Sequence, residues 1–192
     1  MDIILASASP RRKEILSSLG LNFKVIVSSV SEDSIPKDLP PHIYVQELSM
    51  LKSTDVAKNI KKESLCIGAD TIVYHNQKII GKPKNFDEAF NMLSSFSGSF
   101  HEVISSVSVT NSKSMKTVTD YCTTKVYFSH LSDDEIVSYI NRFSPYDKAG
   151  GYGIQEYAGA FIEKIEGDYF NVVGLPVNKL YKLLKSEFDF II

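Results

Sequence analysis

The chain has 192 residues, 43% of them apolar, a formal net charge of −2 and a pI near 6.1. That is enough apolar material for a proper core, in one large domain or two small lobes. A slightly acidic balance excludes holding a nucleic-acid polymer by bulk electrostatics, so any polyanion bound here is expected to be small.

Strand and helix patterns alternate along the chain with short breaks, the pattern of an α/β protein. Ile3 to Ser7 reads as a strand and Pro10 to Leu19 as a helix, with Ser9 as N-cap, Pro10 at the first helical position and Gly20 as the stop. Phe23, Val25 and Val27 alternate as a second strand, and Ser31 to Pro41 is a polar, proline-bearing loop. A helix is expected over His42 to Lys61, a buried strand over Leu65 to Tyr74, and a helix over Asp87 to Phe96 capped by Asp87 or Asn85. Val103 to Val109 and Thr119 to Phe128 alternate and suggest a long hairpin. Ser132-Asp133-Asp134-Glu135 is a capping box opening a helix to about Phe143. A strand over Ala158 to Ile165 and a helix over Pro176 to Phe188 complete the set, with no internal repeat or low-complexity linker.

No run approaches the ~20 apolar residues of a membrane span, so no membrane association is expected. Cys66 and Cys122 form no CxxC pair, and Met1-Asp2 is followed by four apolar residues before Ser7, unlike a secretory leader. The expected setting is the reducing cytoplasm. His42, His75, His101 and His130 are scattered without zinc-type spacing and read as surface or packing residues.

Four segments carry polar groups where local structure does not ask for them. In Leu5-Ala6-Ser7-Ala8-Ser9-Pro10-Arg11-Arg12-Lys13, three cations fall in the first turn of a helix. The positive end of the helix dipole makes that cost about 0.3–1 kcal/mol each unless an anion binds. The hydroxyls of Ser7 and Ser9, free helix amides and two arginine forks would suit a phosphate; basic side chains splayed into solvent are the plainer alternative. Asp70 interrupts an apolar strand, Leu65 to Val73, and a buried carboxylate there must meet a cation, a metal ion or hydrogen-bond donors. It is a candidate general base or metal ligand, against a purely structural role capping nearby backbone. Lys52 falls on the helix face marked by Val45, Leu48 and Val56, where its head either meets an anion or snorkels to water. Gly81-Lys82-Pro83-Lys84 looks like a fragment of a P-loop without its upstream glycine or its Ser/Thr, and Asp147-Lys148-Ala149-Gly150-Gly151-Tyr152-Gly153-Ile154-Gln155 is a glycine-rich turn. Gln155 just after those glycines has the donor and acceptors to read a nucleobase edge.

Together these segments resemble the Maf family of nucleoside triphosphate pyrophosphatases, dTTP/UTP branch. The resemblance rests on "LASASPRRKEIL", "IGADTIV", "GKPK", "SGSFHEV", "DKAGGYGIQ" and "GDYFNVVGLP", in the family's order and spacing from Leu5 to about Pro176. It implies a single Maf-like domain over residues 1–192: an elongated, two-lobed, mixed twisted sheet flanked by helices, similar to inosine-triphosphate pyrophosphatases, with a nucleotide cleft between the lobes. It also implies hydrolysis between the α and β phosphates with a divalent cation, Mg²⁺ or Mn²⁺, releasing the nucleoside monophosphate and pyrophosphate. On the resemblance Asp70 is the proton acceptor, and Arg11, Thr71 and Gln155 govern substrate choice. Ser7, Ser9, Arg12, Lys52 and Lys82 would hold phosphates, and Asp70 with Glu32 the metal. The chain departs from the family where Ser99 or Phe100 replaces a frequent arginine, and where Ser144 stands for a glutamate before Pro145. A pyrophosphatase for non-canonical purine nucleotides and a non-catalytic nucleotide-sensing regulator of cell division remain as alternatives, and pairing into a homodimer is left open.

Overall fold

The computed structural model describes residues 1–36 and 38–192; of the loop expected over Ser31 to Pro41, Lys37 lies outside the described residues. The elements in chain order are β1 (Asp2–Leu5), α1 (Pro10–Ser18), β2 (Phe23–Val25), α2 (Pro41–Lys58), β3 (Ser64–His75), β4 (Lys78–Ile80), α3 (Phe86–Phe96), β5 (Phe100–Asn111), β6 (Thr117–Phe128), α4 (Asp133–Phe143), β7 (Ile162–Glu166), α5 (Tyr169–Val173) and α6 (Val177–Phe188). The described strands form one seven-stranded sheet in the order β2-β1-β3-β5-β6-β7, with β4 added on β3. It is mixed: β1 is parallel to β2 and β3, whereas β3/β4 and β6/β7 are antiparallel. The α/β class read from the alternation of patterns is the class observed.

The chain divides into two compact units, the first of Met1–Thr71, Ser105–Cys122 and Gly174–Ile192, the second of Ile72–Ile104 and Thr123–Val173. In the first, Ile4 and Ala6 lie with Cys66 of the adjacent, parallel β3 under Val56 and Ala57 of α2. Parallel pairing of β1 with β3 needs a crossover, which α1, β2 and α2 supply. In the second, Val73, Val103, Val126 and Phe128 from strands pack with Leu93 and Phe96 of α3 and Ile136, Tyr139 and Ile140 of α4.

Local chemistry explains most element boundaries. Asn85, not Asp87, caps α3, its Oδ1 accepting the Glu88 N–H at 2.9 Å. The capping box of α4 is complete, Ser132 Oγ accepting from Glu135 N and Glu135 Oε2 from Ser132 N. Three expectations need correction. Ser9 occupies the N-cap position of α1, but its side chain makes no capping bond; instead its N–H donates to Ser7 Oγ at 3.2 Å. The strand expected over Ala158–Ile165 is a 3₁₀ helix over Tyr157–Phe161 followed by β7, because Gly159 N–H closes back on the Glu156 carbonyl. Val27 lies beyond β2, a three-residue edge strand. The short elements β4 and α5 are additions; β4 folds back on β3 through Asn76 and Gln77, whose φ values of 47° and 60° suit a tight hairpin turn. Among the described residues no helix is long and apolar enough to cross a membrane.

Candidate active site

The chemistry-bearing residues of the first unit gather in two linked groups on β3. The first is centred on Arg12. From the first turn of α1 its guanidinium donates from Nε to the Gly174 carbonyl at 2.8 Å, from Nη1 to Ser7 Oγ at 3.1 Å and the Ala69 carbonyl at 2.8 Å, and from Nη2 to Thr71 Oγ1 at 3.2 Å. Four of the five N–H groups of the fork are therefore spent within the protein. Thr71 Oγ1 also bonds Ser105 Oγ at 2.9 Å. Gly174 takes φ 122°, a value that favours glycine, and a Cβ there would meet Thr71 Oγ1 at 3.5 Å.

The second group is Asp70, Lys52 and Glu32. Asp70 is 8% exposed, and Lys52 Nζ lies 2.6 Å from its Oδ1 and 2.7 Å from Glu32 Oε1. The lysine expected to face inward thus meets an anion, and the carboxylate inside an apolar strand meets a cation. Burial pushes the Asp70 carboxyl above its ordinary value, and the Lys52 and Arg12 cations oppose that only in part. A carboxylate in that state accepts a proton more readily than a surface aspartate, which suits a general base. Glu32 sits in a 3₁₀ turn whose N-cap, Ser31, accepts the Asp33 N–H, and its side chain is more than half exposed. Among the described residues no cluster of three or more His, Cys, Asp and Glu side chains is placed to hold a metal. Two carboxylates on one ammonium are present, and such an oxygen pair suits a hard divalent ion that keeps waters and takes the rest of its shell from phosphate oxygens.

Arg11 lies beside Arg12 on α1 and is partly exposed. Of the remaining candidates, Lys82 and Gln155 belong to the second unit, and both are exposed. Their turns are joined there by the Gly150 N–H, which donates to the Gly81 carbonyl at 2.9 Å. The Gln155 turn is fastened further by Lys148, whose Nζ is 2.8 Å from Asp147 Oδ1 and 3.3 Å from Glu156 Oε2, and by Tyr152 OH, 2.6 Å from His101 Nε2. Sequence reasoning missed Ser105, the Gly174 carbonyl and His101 as members of these networks. The only signal for Gly174 was a glycine before Leu175-Pro176, and Ser105 and His101 carry none, since their partners are distant in the chain.

The chain is similar to known proteins over nearly its whole length. The family model described as "Maf-like protein" matches residues 2–187. A protein of Thermoanaerobacter sp. (strain X514) named "dTTP/UTP pyrophosphatase" is 51% identical over 189 residues, 98% of each chain. One of the same name from Alkaliphilus oremlandii is 49% identical over 97% of this chain and 96% of its own. Among solved structures, a HAM1 protein from Coxiella burnetii aligns with a TM-score of 0.46 at 14% identity, over 68% of this chain and 74% of that one. With the family model matching residues 2–187 and relatives about half identical over nearly their whole length, the chain belongs to the Maf family.

Proposed function

We propose that this protein is a nucleoside triphosphate pyrophosphatase acting on dTTP and UTP, cleaving between the α and β phosphates to release the nucleoside monophosphate and pyrophosphate, and so clearing the cytoplasmic nucleotide pool. The observation that carries the reading is the buried Asp70 carboxylate held at 2.6 Å by Lys52, in a chain 51% identical to a protein of that name. Asp70 takes the proton of the attacking water as its oxygen closes on the α phosphorus, and its raised proton affinity favours that transfer. Lys52 orients Asp70 and meets phosphate charge. Arg12 positions Ser7 and Thr71, with its last Nη2 proton left for a phosphate oxygen. Asp70 and Glu32 would hold a divalent cation, Mg²⁺ or Mn²⁺, which when bound would neutralise phosphate charge and lower the pKa of its water.

Ser9, Arg11 and Lys82 are proposed as further contacts to the triphosphate. Thr71 and Gln155, with Arg11, are proposed to choose the base. Uracil and thymine share the donor and acceptor edge that an amide can pair, and a base with the wrong pattern leaves that amide unpaired. We treat residues 1–192 as one functional domain. The test is a pyrophosphate-release assay over the common ribo- and deoxynucleoside triphosphates, with Mg²⁺, with Mn²⁺ and with chelator. Monophosphate and pyrophosphate from UTP and dTTP are the expected products; diphosphate and orthophosphate would place cleavage at the wrong phosphorus and overturn the assignment.

A further inference from the structure

Helix α2 meets the sheet of the first unit partly through hydroxyls, where an apolar face is the ordinary solution. Ser49 and Ser53, one turn apart on α2, are fully buried, and so are Ser106, Ser108 and Thr110, which alternate along one face of β5. Ser49 with Ser108 and Ser53 with Thr110 form two chains, each crossing from β6 through β5 to α2, and Ser106 Oγ branches the first at 2.7 Å from Ser49 Oγ. In one, Thr119 Oγ1 is 2.7 Å from Ser108 Oγ, Ser108 is 2.8 Å from Ser49, and Ser49 donates to the Gln46 carbonyl at 2.9 Å. In the other, Thr117 Oγ1 is 3.0 Å from Thr110 Oγ1, Thr110 is 2.8 Å from Ser53, and Ser53 donates to the Met50 carbonyl at 3.1 Å. Carbonyls that can only accept stand at both ends, Gln46 and Met50 on α2 and Met115 beside Thr117 and Asp120 beside Ser106 on the β6 side, so either hydroxyl of each pair can donate. Gly68 of β3 completes the contact: a Cβ there would come within 2.7 Å of Ser53 N, so α2 lies directly against the strand.

Lys52 stands between those two serines in sequence, and Asp70 stands two residues beyond Gly68 on the same face of β3. Apolar surfaces tolerate sliding because dispersion has little direction. Directional bonds do not: a slip or roll of α2 opens both chains together and leaves buried hydroxyls without partners. We propose that the two hydroxyl chains are a register lock, in which Ser49, Ser53 and Thr110 are positioning residues that hold α2 at one setting on β3 and so keep the Lys52 ammonium on Asp70. The proposal rests on the reading of Asp70 and Lys52 as the working groups of the site.

The test compares Thr110→Val, which keeps the shape and loses the hydroxyl, with Thr110→Ser, which keeps the hydroxyl and loses a methyl from the interior. Three quantities are measured on the full chain: the thermal midpoint, kcat and KM for UTP, and the ¹⁵N-lysine NMR signal of the Lys52 ammonium, assigned by its loss in Lys52→Met. Thr110→Val is expected to lower kcat ~10-fold and to lose the slowly exchanging Lys52 signal, because misplacement of a working group by a fraction of an ångström is costly, while Thr110→Ser keeps the signal and kcat within ~2-fold whatever its thermal midpoint. If kcat instead follows the thermal midpoints of the two variants, or Thr110→Val keeps both wild-type kcat and the Lys52 signal, the lock is refuted. Should Thr110→Val fail to fold, Thr117→Val against Thr117→Ser makes the same comparison at the half-buried outer end of the chain. The NMR arm separates the two levels of the argument. A fully active Asp70→Asn would overturn the reading of the site, yet the Lys52 signal in the Thr110 variants would still decide the lock.

Discussion

Gly68→Ala is the sharpest single probe of how this site is assembled. A Cβ at residue 68 would lie 2.7 Å from Ser53 N and 3.0 Å from Ser53 Cβ, and would collide with the Ser49 carbonyl as well. Ordinary contact begins at 3.4 Å, so the helix must give way by at least 0.7 Å at Ser53 N, and by more at the Ser49 carbonyl. The atoms in the way are largely backbone, so α2 moves as a body or β3 bends. A retreat of 0.7 Å already takes the Lys52–Asp70 contact from 2.6 Å to about 3.3 Å, beyond the ~2.7–2.9 Å of a good charge-assisted bond. It takes the 2.8 Å hydroxyl contacts to about 3.5 Å, the outer limit of a hydrogen bond. Overpacking of this kind costs ~1–3 kcal/mol and each weakened bond adds ~0.5 kcal/mol or more, for a total of ~2–4 kcal/mol. For a chain of this length that is a fall in thermal midpoint of about 4–16 °C. Urea titration should show a lower midpoint at an unchanged slope, and kcat should fall with it. Gly81→Ala is the control, since a Cβ there points into open space, and its stability should stay within ~0.5 kcal/mol of the parent. A Gly68→Ala protein with the parent's thermal midpoint and kcat would show that α2 does not depend on close approach to β3.

Asp70→Asn keeps the side chain's shape and removes the base, so turnover should fall at least ~100-fold in a protein whose circular dichroism is unchanged; near-normal turnover would leave Asp70 a structural residue. For base choice, UTP and dTTP should be used alike and CTP and the purine triphosphates at least ~10-fold less well, and Gln155→Ala should narrow that gap by harming the preferred pair. Equal kcat/KM on ATP, GTP and dTTP in the parent protein would refute the proposed base reading. His101 is 1% exposed, and burial, helped by nearby His75, pushes its pKa down to about 3. The unfolded chain therefore takes up a proton near pH 6.5 that the native state refuses until about pH 3, and stability should fall as pH drops through that window, by an amount on the order of 3–5 kcal/mol in all. Acid titrations of the parent and His101→Gln check it: the variant should lose much of the slope between pH 6.5 and 3, and an equal slope in both would assign the acid sensitivity elsewhere.

What the sequence determined by itself was whatever depends on near neighbours in the chain. Pro10 starts α1 and Ser132 with Glu135 opens α4, because each of these acts within four residues of itself, whereas the sequence narrows the cap of α3 to Asp87 or Asn85 and the structure decides for Asn85. Asp70 stood out because a carboxylate inside Leu65 to Val73 cannot be buried alone, and Lys52 because it shares a face with Val45, Leu48 and Val56. Tertiary structure alone decided which partners complete those groups. The alternation over Val103 to Val109 predicts a strand, yet its polar face, with Ser106 and Ser108 and then Thr110 beyond, is buried and bonded to α2. Periodicity reports that a face exists, not what covers it. Likewise the charges of Arg11, Arg12 and Lys13 pointed to an anion at the helix start, while four of the Arg12 donors go to Ser7, Ala69, Thr71 and Gly174, the last of them 162 residues away. A side chain's donors are counted in its sequence, but their acceptors are assigned only when distant backbone arrives, and that is set by the packing of the whole unit.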